Sequence, residues 1–264
     1  MISKEDLQNL YKKFLSANTI FPNKGDVDGY LEQWGRQSME FKEFWRSRIM
    51  PGASDLSDEE INRIIRYLDC HIPGISKADR NGCYHVARCS GHDVPWHELF
   101  RGIFVNQKVK ESLNDVFNNT DEQSIISSID NLNQINASKI DKVKWLTGKD
   151  AVCLNAMMCL NNPSGVVSSV NLVDDRYKII EYFEFADPSE WATYGEALVK
   201  SNQAILRGFA EQFDLRVPAI LLSLFYYECS SELGWQGHIV KSKFVSGKPK
   251  KAKKENKFHC VFKN

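Results

Sequence analysis

Apolar residues in the first part of the chain recur at steps of three and four positions, which is the period of an amphipathic α-helix. This pattern predicts helices over 3–16 and 26–50, and the second ends at Pro51 and Gly52. One face of the first helix collects Leu7, Leu10, Tyr11, Phe14 and Leu15. Ser3 precedes acidic residues and is the expected N-cap of that helix.

The third helix is predicted from its capping signal. Ser57 is followed three residues later by Glu60, which is the spacing of a capping box, and Leu56 can pack against Ile61 as a hydrophobic staple. The apolar period ends before Pro73, so we expect a helix that begins near residue 58 and stops before that proline.

Helical patterns continue as far as residue 229. They predict helices over 95–106, 107–117, 121–132, 147–162, 174–185, 195–213 and 218–229. The helices over 147–162 and 218–229 are apolar almost all round, so we expect both to be buried centrally. The short β-branched stretch 165–172 is either a strand or an extended linker. Polar residues at 131–139 predict a boundary between a helical region 1–132 and a second helical region 133–235.

The last part of the chain changes character. Residues 238–245 (HIVKSKFV) and 257–263 (KFHCVFK) alternate between apolar and polar positions, which favours strands, and a Lys-rich turn lies between them. The expected fold is therefore mainly α: a multi-helix globular body with a small C-terminal β-hairpin or basic tail over 236–264.

Composition places the chain among ordinary globular proteins. It has 264 residues, of which 42% are apolar and 26% are charged. The sequence contains no run of eighteen apolar residues, so no membrane span is predicted. The N-terminal stretch lacks the apolar core of a signal peptide. The seven cysteines are an odd number without the spacing of a disulfide framework, which fits a reducing compartment. A cytoplasmic location is the expectation.

Charge is distributed unevenly along the chain. The formal net charge is zero, but residues 236–264 contain nine Lys and one Glu, about +8 in total, so residues 1–235 carry about −8. A basic end on an acidic body favours an anionic partner for that end. The alternative is a solvated lysine loop without a partner.

The basic end supplies the candidate nucleic-acid contacts. Lysines bind phosphates as point charges, without sequence choice. The candidates are Lys241, Lys243, Lys248, Lys250, Lys251, Lys253 and Lys254. Trp235 and Phe258 flank them and could stack on bases. Lys149, at the start of the predicted helix 147–162, could hold a phosphate together with free backbone N–H groups; a plain helix start is the alternative.

Residues 83–97 (CYHVARCSGHDVPWH) combine two cysteines with three histidines. A structural zinc site would use Cys70, Cys83, Cys89 and His92. Only the last two of these have the short spacing of a zinc ligand pair, and no second pair follows, so we expect the four side chains not to converge. Their alternative role is packing in a loop and short helix.

Catalytic signals are weak. A metal-dependent nuclease would use the 69–97 region through His71 and His85, but Cys70 interrupts the adjacent Asp-His pair of such sites. The triplet Glu40-Phe41-Lys42 lies within a predicted helix, where a solvated face explains it. Asp174 and Asp175 are interpreted as helix-start residues. Phosphate-loop, GxGxxG and GxSxG motifs are missing, which disfavours an NTPase or a serine hydrolase.

One region resembles a known group of proteins. The sequence WLTGKDAVCLNAMMCLNNPSGVVSSVNLVDDRYKIIEYFEF, followed by LVKSNQAILRGFAEQFDLRVPAILLSLFYY, is similar to helical modules of prokaryotic restriction and phage-defence proteins. The resemblance covers about 145–227 and implies a role linked to nucleic acid, since such modules accompany modification-dependent restriction NTPases and nucleases. It includes no catalytic motif, so no active-site residue follows from it.

Three functions remain open at the level of sequence. The leading hypothesis is a DNA-binding helical protein or module of a restriction or defence system, which contacts the backbone through its Lys-rich end. The first alternative is a protein-interaction or regulatory module without enzymatic activity, and the second is the nuclease. DNA and a protein of a defence complex are the candidate partners, and no membrane partner is expected.

Overall fold

Helices dominate the computed structural model. The structure describes residues 2–17, 26–69, 84–86, 95–137, 146–147, 152–169 and 171–244. Within these ranges the α-helices are α1 (Lys4–Ser16), α2 (Val27–Phe44), α3 (Asp58–Leu68), α4 (Trp96–Val105), α5 (Gln107–Asn118), α6 (Glu122–Ala137), α7 (Val152–Asn161), α8 (Lys178–Tyr182), α9 (Tyr194–Gln212), α10 (Ala219–Glu228) and α11 (Ser230–Leu233). The mainly-α prediction is confirmed.

Short helical segments of other types extend this set. A π-helical segment, Trp45–Ile49, continues α2, and a second one, Leu172–Tyr177, leads into α8. Single 3₁₀ turns lie at Pro188–Glu190 and Trp235–Gly237. Asp174 and Asp175 lie in the first turn of the second π-helical segment, in agreement with their interpretation as helix-start residues.

Helix starts follow the capping signals of the sequence. Ser3 accepts a hydrogen bond from the backbone N–H of Asp6. The capping box of α3 is complete, because Ser57 Oγ accepts from the N–H of Glu60 (3.2 Å) and the Glu60 carboxylate accepts from the N–H of Ser57 (2.9 Å). These contacts satisfy backbone donors that a helix start leaves free.

The two apolar helices occupy the core, as expected. In α7 the residues with no exposed surface are Cys153, Leu154, Ala156, Met157, Cys159 and Leu160. In α10 the side chains of Phe225 and Tyr226 are equally buried. Helix α7 contacts α2 and α3, while α6 lies along α9.

A fully buried arginine ties several of these elements together. Arg176 has no exposed surface, and burial lowers its pKa to about 10. Its guanidinium donates to the carbonyls of Val167, Ser169 and Leu198 and to the side chains of Asn155 and Ser201. The stretch 167–169 has no regular secondary structure, so the linker interpretation holds there and its carbonyls are free to accept these bonds.

The predicted C-terminal β-hairpin is not supported. Residues 238–244, where its first strand was expected, contain no strand, and the second strand lies outside the described residues. The backbone N–H groups of Lys241 and Ser242 donate to the carboxylate of Glu181, so they are not available to a neighbouring strand.

The polar stretch at 131–139 does not end a helix at residue 132. Helix α6 continues to Ala137, with Leu132 and Asn133 buried and Asn131 and Gln134 exposed. A single hydrophobic core includes residues from both sides of this stretch. Helix α6 thus crosses the predicted limit, and the division into domains at 132/133 stays a prediction.

Candidate nucleic-acid interface

The candidate lysines fall into two groups. Lys241 and Lys243 are described and exposed. Lys248, Lys250, Lys251, Lys253 and Lys254 lie outside the described residues, as do Lys149 and Phe258. The described structure therefore shows how the basic segment, residues 241–254, starts.

The start of the basic segment is held by a single carboxylate. Glu181 on α8 accepts hydrogen bonds from the backbone N–H of Lys241 (2.8 Å) and of Ser242 (2.9 Å), and it also contacts His238 Nε2 (3.1 Å). Desolvation raises the pKa of the Glu181 carboxyl, but these hydrogen bonds outweigh it and hold the pKa at about 2. An ionised carboxylate thus fixes the basic segment to the helical body.

An aromatic contact holds the segment at a second point. The ring of Phe244 lies 6.3 Å from the rings of Tyr177 and of Tyr194, measured between centroids. Two residues earlier, Ser242 is bound to Glu181. Lys243 lies between these two anchored positions and keeps its side chain exposed.

Trp235 is not a stacking surface. Its side chain is 2% exposed, and its indole N–H donates to the carbonyl of Tyr226 (2.9 Å). It packs in the core against Tyr226 and Tyr227, so no ring face remains for a base. The preceding Gly234 adopts a φ of 80°, a left-handed turn that ends α11 and directs the indole inward.

Acidic side chains surround the anchoring point itself. A shallow cavity of about 320 Å³ beside Glu181 is also lined by Glu184, Asp187 and Lys241. Carboxylates repel phosphate, so the surface beside Glu181 is itself a poor phosphate site. The sequence did not predict Glu181 or His238 as site residues, since neither belongs to a motif.

The four proposed zinc ligands, Cys70, Cys83, Cys89 and His92, lie outside the described residues, and so does His71. The two described histidines of this region contact helix α3: His85 Nδ1 lies 2.6 Å from the carbonyl of Arg66, and His97 Nε2 lies 2.8 Å from Asn62 Oδ1. Within the described ranges, no three His, Cys, Asp or Glu side chains are grouped to hold a metal ion.

The remaining chemistry candidates have structural roles. Glu40 accepts from the hydroxyl of Tyr67 (2.8 Å), as expected of a residue on a helix face. The described cysteines are buried, and burial raises the pKa of Cys159 to about 12 and that of Cys229 to about 11. Such thiols stay protonated and behave as small apolar side chains.

Comparison with known proteins gives no family for this chain. No family model matches it, and neither a curated protein nor a solved structure shows significant similarity to it. Among the described helices, none combines the length and the apolar character that crossing a bilayer requires. The functional argument therefore depends on the residues and their geometry.

Proposed function

We propose that the protein binds DNA through the phosphate backbone, with the basic segment as its contact surface. The observation that supports this proposal most directly is the anchoring by Glu181. It fixes the first residues of a strongly basic segment to the body, while Lys241 and Lys243 remain exposed. An anchored cationic segment loses less conformational freedom on binding than a free one.

The charge distribution explains why the contact is confined to this segment. Residues 236–264 carry about +8, whereas the rest of the chain carries about −8 and repels a polyanion. Binding of this kind depends on the release of counterions from the nucleic acid, so it is strongly salt-dependent and has little sequence preference.

The association with restriction or defence systems is part of the same proposal. It is supported by the resemblance of residues 145–227 to helical modules of such proteins. The module would bring a DNA contact to a complex whose catalytic activity belongs to another component.

Salt-dependent binding tests the proposal. The full-length protein is titrated onto a fluorescent random-sequence duplex, and the anisotropy is followed between about 50 and about 200 mM salt. Replacing Lys250, Lys251, Lys253 and Lys254 by Gln is expected to lower the affinity at low salt at least about tenfold. The slope of log K against log salt is expected to fall by up to about 0.9 for each phosphate contact that is lost.

The matched control removes the same number of charges from the body. Lys4, Lys12, Lys13 and Lys108 are exposed, so their replacement by Gln should leave the slope unchanged. The proposal is wrong if the duplex does not bind at low salt, or if both variants change the slope equally.

A further inference from the structure

A second surface lies along the outer side of α2, separate from the residues that anchor the basic segment. It is a groove with two contiguous parts, of about 650 and 460 Å³, which share Met39, Lys42 and Asn161. One wall is the exposed side of α2 and of the π-helical segment after it. The other wall comprises the end of α5 and the turn 161–164. We call this surface the α2 groove.

Four apolar side chains contribute to the lining of the larger part of the α2 groove. They are Met39, Trp45, Met50 and Phe117. Met39 is 64% exposed and is one of three large apolar side chains that stay exposed among the described residues. Methionine adapts its shape to different partners, and it is common on peptide-binding surfaces.

A buried polar group in the same part of the groove has no partner within the described ranges. Trp45 is 4% exposed, and its indole N–H has no hydrogen-bond acceptor among the described residues. Buried donors are nearly always paired, so an unpaired one calls for an explanation. Trp45 lines the groove, so a carbonyl of a ligand bound there is a candidate for the missing acceptor.

The rim of the α2 groove carries an excess of positive charge. Arg36, Lys42 and Arg46 line it together with two acids, Glu32 and Glu43. Arg46 and Glu43 form an exposed ion pair (2.5 Å). A local cationic excess on a body of net negative charge favours an acidic ligand.

Carboxamide side chains complete the opposite wall. They belong to Asn114, Asn118, Asn161 and Asn162. Asn118 Nδ2 already donates to Asn114, and Asn161 Nδ2 already donates to the carbonyl of Phe117. An amide side chain has two donor hydrogens and an oxygen with two lone pairs, so these groups keep capacity for a peptide backbone. The groove follows α2 and its extension from Glu32 to Met50, about 27 Å at 1.5 Å per residue, which matches roughly eight residues of extended chain.

We propose that the α2 groove binds an extended acidic peptide segment of a protein partner. An apolar side chain of the peptide would contact Met39, Met50 and Phe117, and acidic side chains would face Lys42 and Arg46. A single-stranded nucleic acid fits this surface less well, because base stacking needs an exposed aromatic face and Trp45 offers almost none. This inference is independent of the proposed DNA contact.

Selection from a random peptide library tests the proposal. A phage-displayed library of peptides of about twelve residues is panned on the full-length protein, and selected peptides are synthesised for calorimetry. We expect peptides that carry Asp or Glu beside a large apolar residue. The double variant Lys42→Glu/Arg46→Glu should weaken their binding at least about tenfold, because it places like charges opposite the acidic peptide. Met39→Glu should weaken it to a similar extent, because it puts a carboxylate at the apolar contact.

Two controls separate a local effect from a general one. Lys12→Glu/Lys13→Glu makes the same charge change on the exposed side of α1 and should leave the affinity unchanged. The indole N–H resonance of Trp45, assigned by its loss in Trp45→Phe, should shift when the peptide is added, as expected for a newly formed hydrogen bond.

Four results would overturn the proposal. The first is that no peptide is enriched, and the second is that the enriched peptides lack acids or bind the groove variants as well as the wild type. The third is a single-stranded oligonucleotide whose binding depends on Lys42 and Arg46, which would make the groove a nucleic-acid site. The fourth is a concentration-dependent dimer that Met39→Glu abolishes, which would identify a second copy as the occupant.

Discussion

At the scale of single residues, two ionised groups, one buried and one partly buried, organise polar contacts that the sequence leaves unmarked. The guanidinium of Arg176 donates to five acceptors from three parts of the chain, and none of them is a carboxylate. The carboxylate of Glu181 accepts from two backbone N–H groups about sixty positions away. Neutral dipoles compensate the charge of the buried Arg176, which explains how it tolerates burial, whereas the partly buried Glu181 also contacts His238.

Replacing Glu181 by Gln should make stability less sensitive to acid. The folded-state pKa of Glu181 is about 2, below its ordinary value of 4.5. Its contribution to the free energy of unfolding is therefore complete above about pH 4.5 and is lost as the pH falls toward 2. The Gln variant should be less stable at neutral pH by roughly 1–3 kcal/mol, because it lacks charge-assisted hydrogen bonds. Urea unfolding of both proteins at about pH 7 and about pH 2.5 measures the difference.

Glu190→Gln is the matched control for this experiment. Glu190 is exposed, so the free energy of unfolding should change by less than about 0.5 kcal/mol at either pH. A Glu181→Gln difference that is equally large at both pH values would contradict the role assigned to the ionised carboxylate.

At the scale of elements, the contact between α6 and α9 depends on a glycine. The backbone N–H of Gly195 donates to the carboxylate of Asp130 (2.7 Å), and a Cβ at this position would collide with the carbonyl oxygen of Ile126. Gly35 on α2 is the opposite case, because nothing lies within 4 Å of the place where its Cβ would be. The same residue type thus permits close packing in one helix and only weakens the other.

Alanine at these two glycines should have opposite effects. Gly195→Ala should destabilise the protein by roughly 1–3 kcal/mol, since a backbone collision forces the two helices apart. Gly35→Ala should stabilise it by about 0.5–1 kcal/mol, because alanine is the better helix former at an open position. Urea midpoints of both variants measure the changes. If both variants changed the urea midpoint in the same way, the α6–α9 contact would accommodate the added methyl group without loss of stability.

At the scale of the whole molecule, one core connects the two halves of the chain. Tyr11 and Phe14 of α1 lie with ring centroids 5.1 and 5.4 Å from Phe225 of α10. Ser38 of α2 donates to the carbonyl of Asn161 at the end of α7 (2.8 Å). Contacts of this kind couple the stability of the regions before and after residue 132.

We therefore expect a single cooperative unfolding transition. Tryptophan fluorescence reports on both halves, since Trp34, Trp45 and Trp96 precede the predicted boundary while Trp145, Trp191 and Trp235 follow it. Its urea midpoint should coincide with that of helical circular dichroism, as two-state behaviour requires. Two separate midpoints would show instead that residues 1–132 and 133–235 unfold as independent domains.

The sequence by itself determined the helices and the distribution of charge. The period of three and four, the capping box of Ser57 and Glu60, and the all-round apolar character of α7 and α10 all depend on residues within about one or two turns of each other. Such local signals are present in the sequence before any tertiary contact forms. The net charges of the body and of the C-terminal segment are equally independent of the fold.

Only the tertiary structure decided how the candidate sites are arranged. Trp235 was a plausible stacking residue, but packing buries it, and in the alternating stretch 238–244 the backbone N–H groups of Lys241 and Ser242 bind Glu181 and not a neighbouring strand. The α2 groove depends on α5 and on the turn after α7, which are distant from α2 in sequence. These outcomes follow from contacts between residues separated by many positions, and a periodic pattern carries no information about which distant groups will meet.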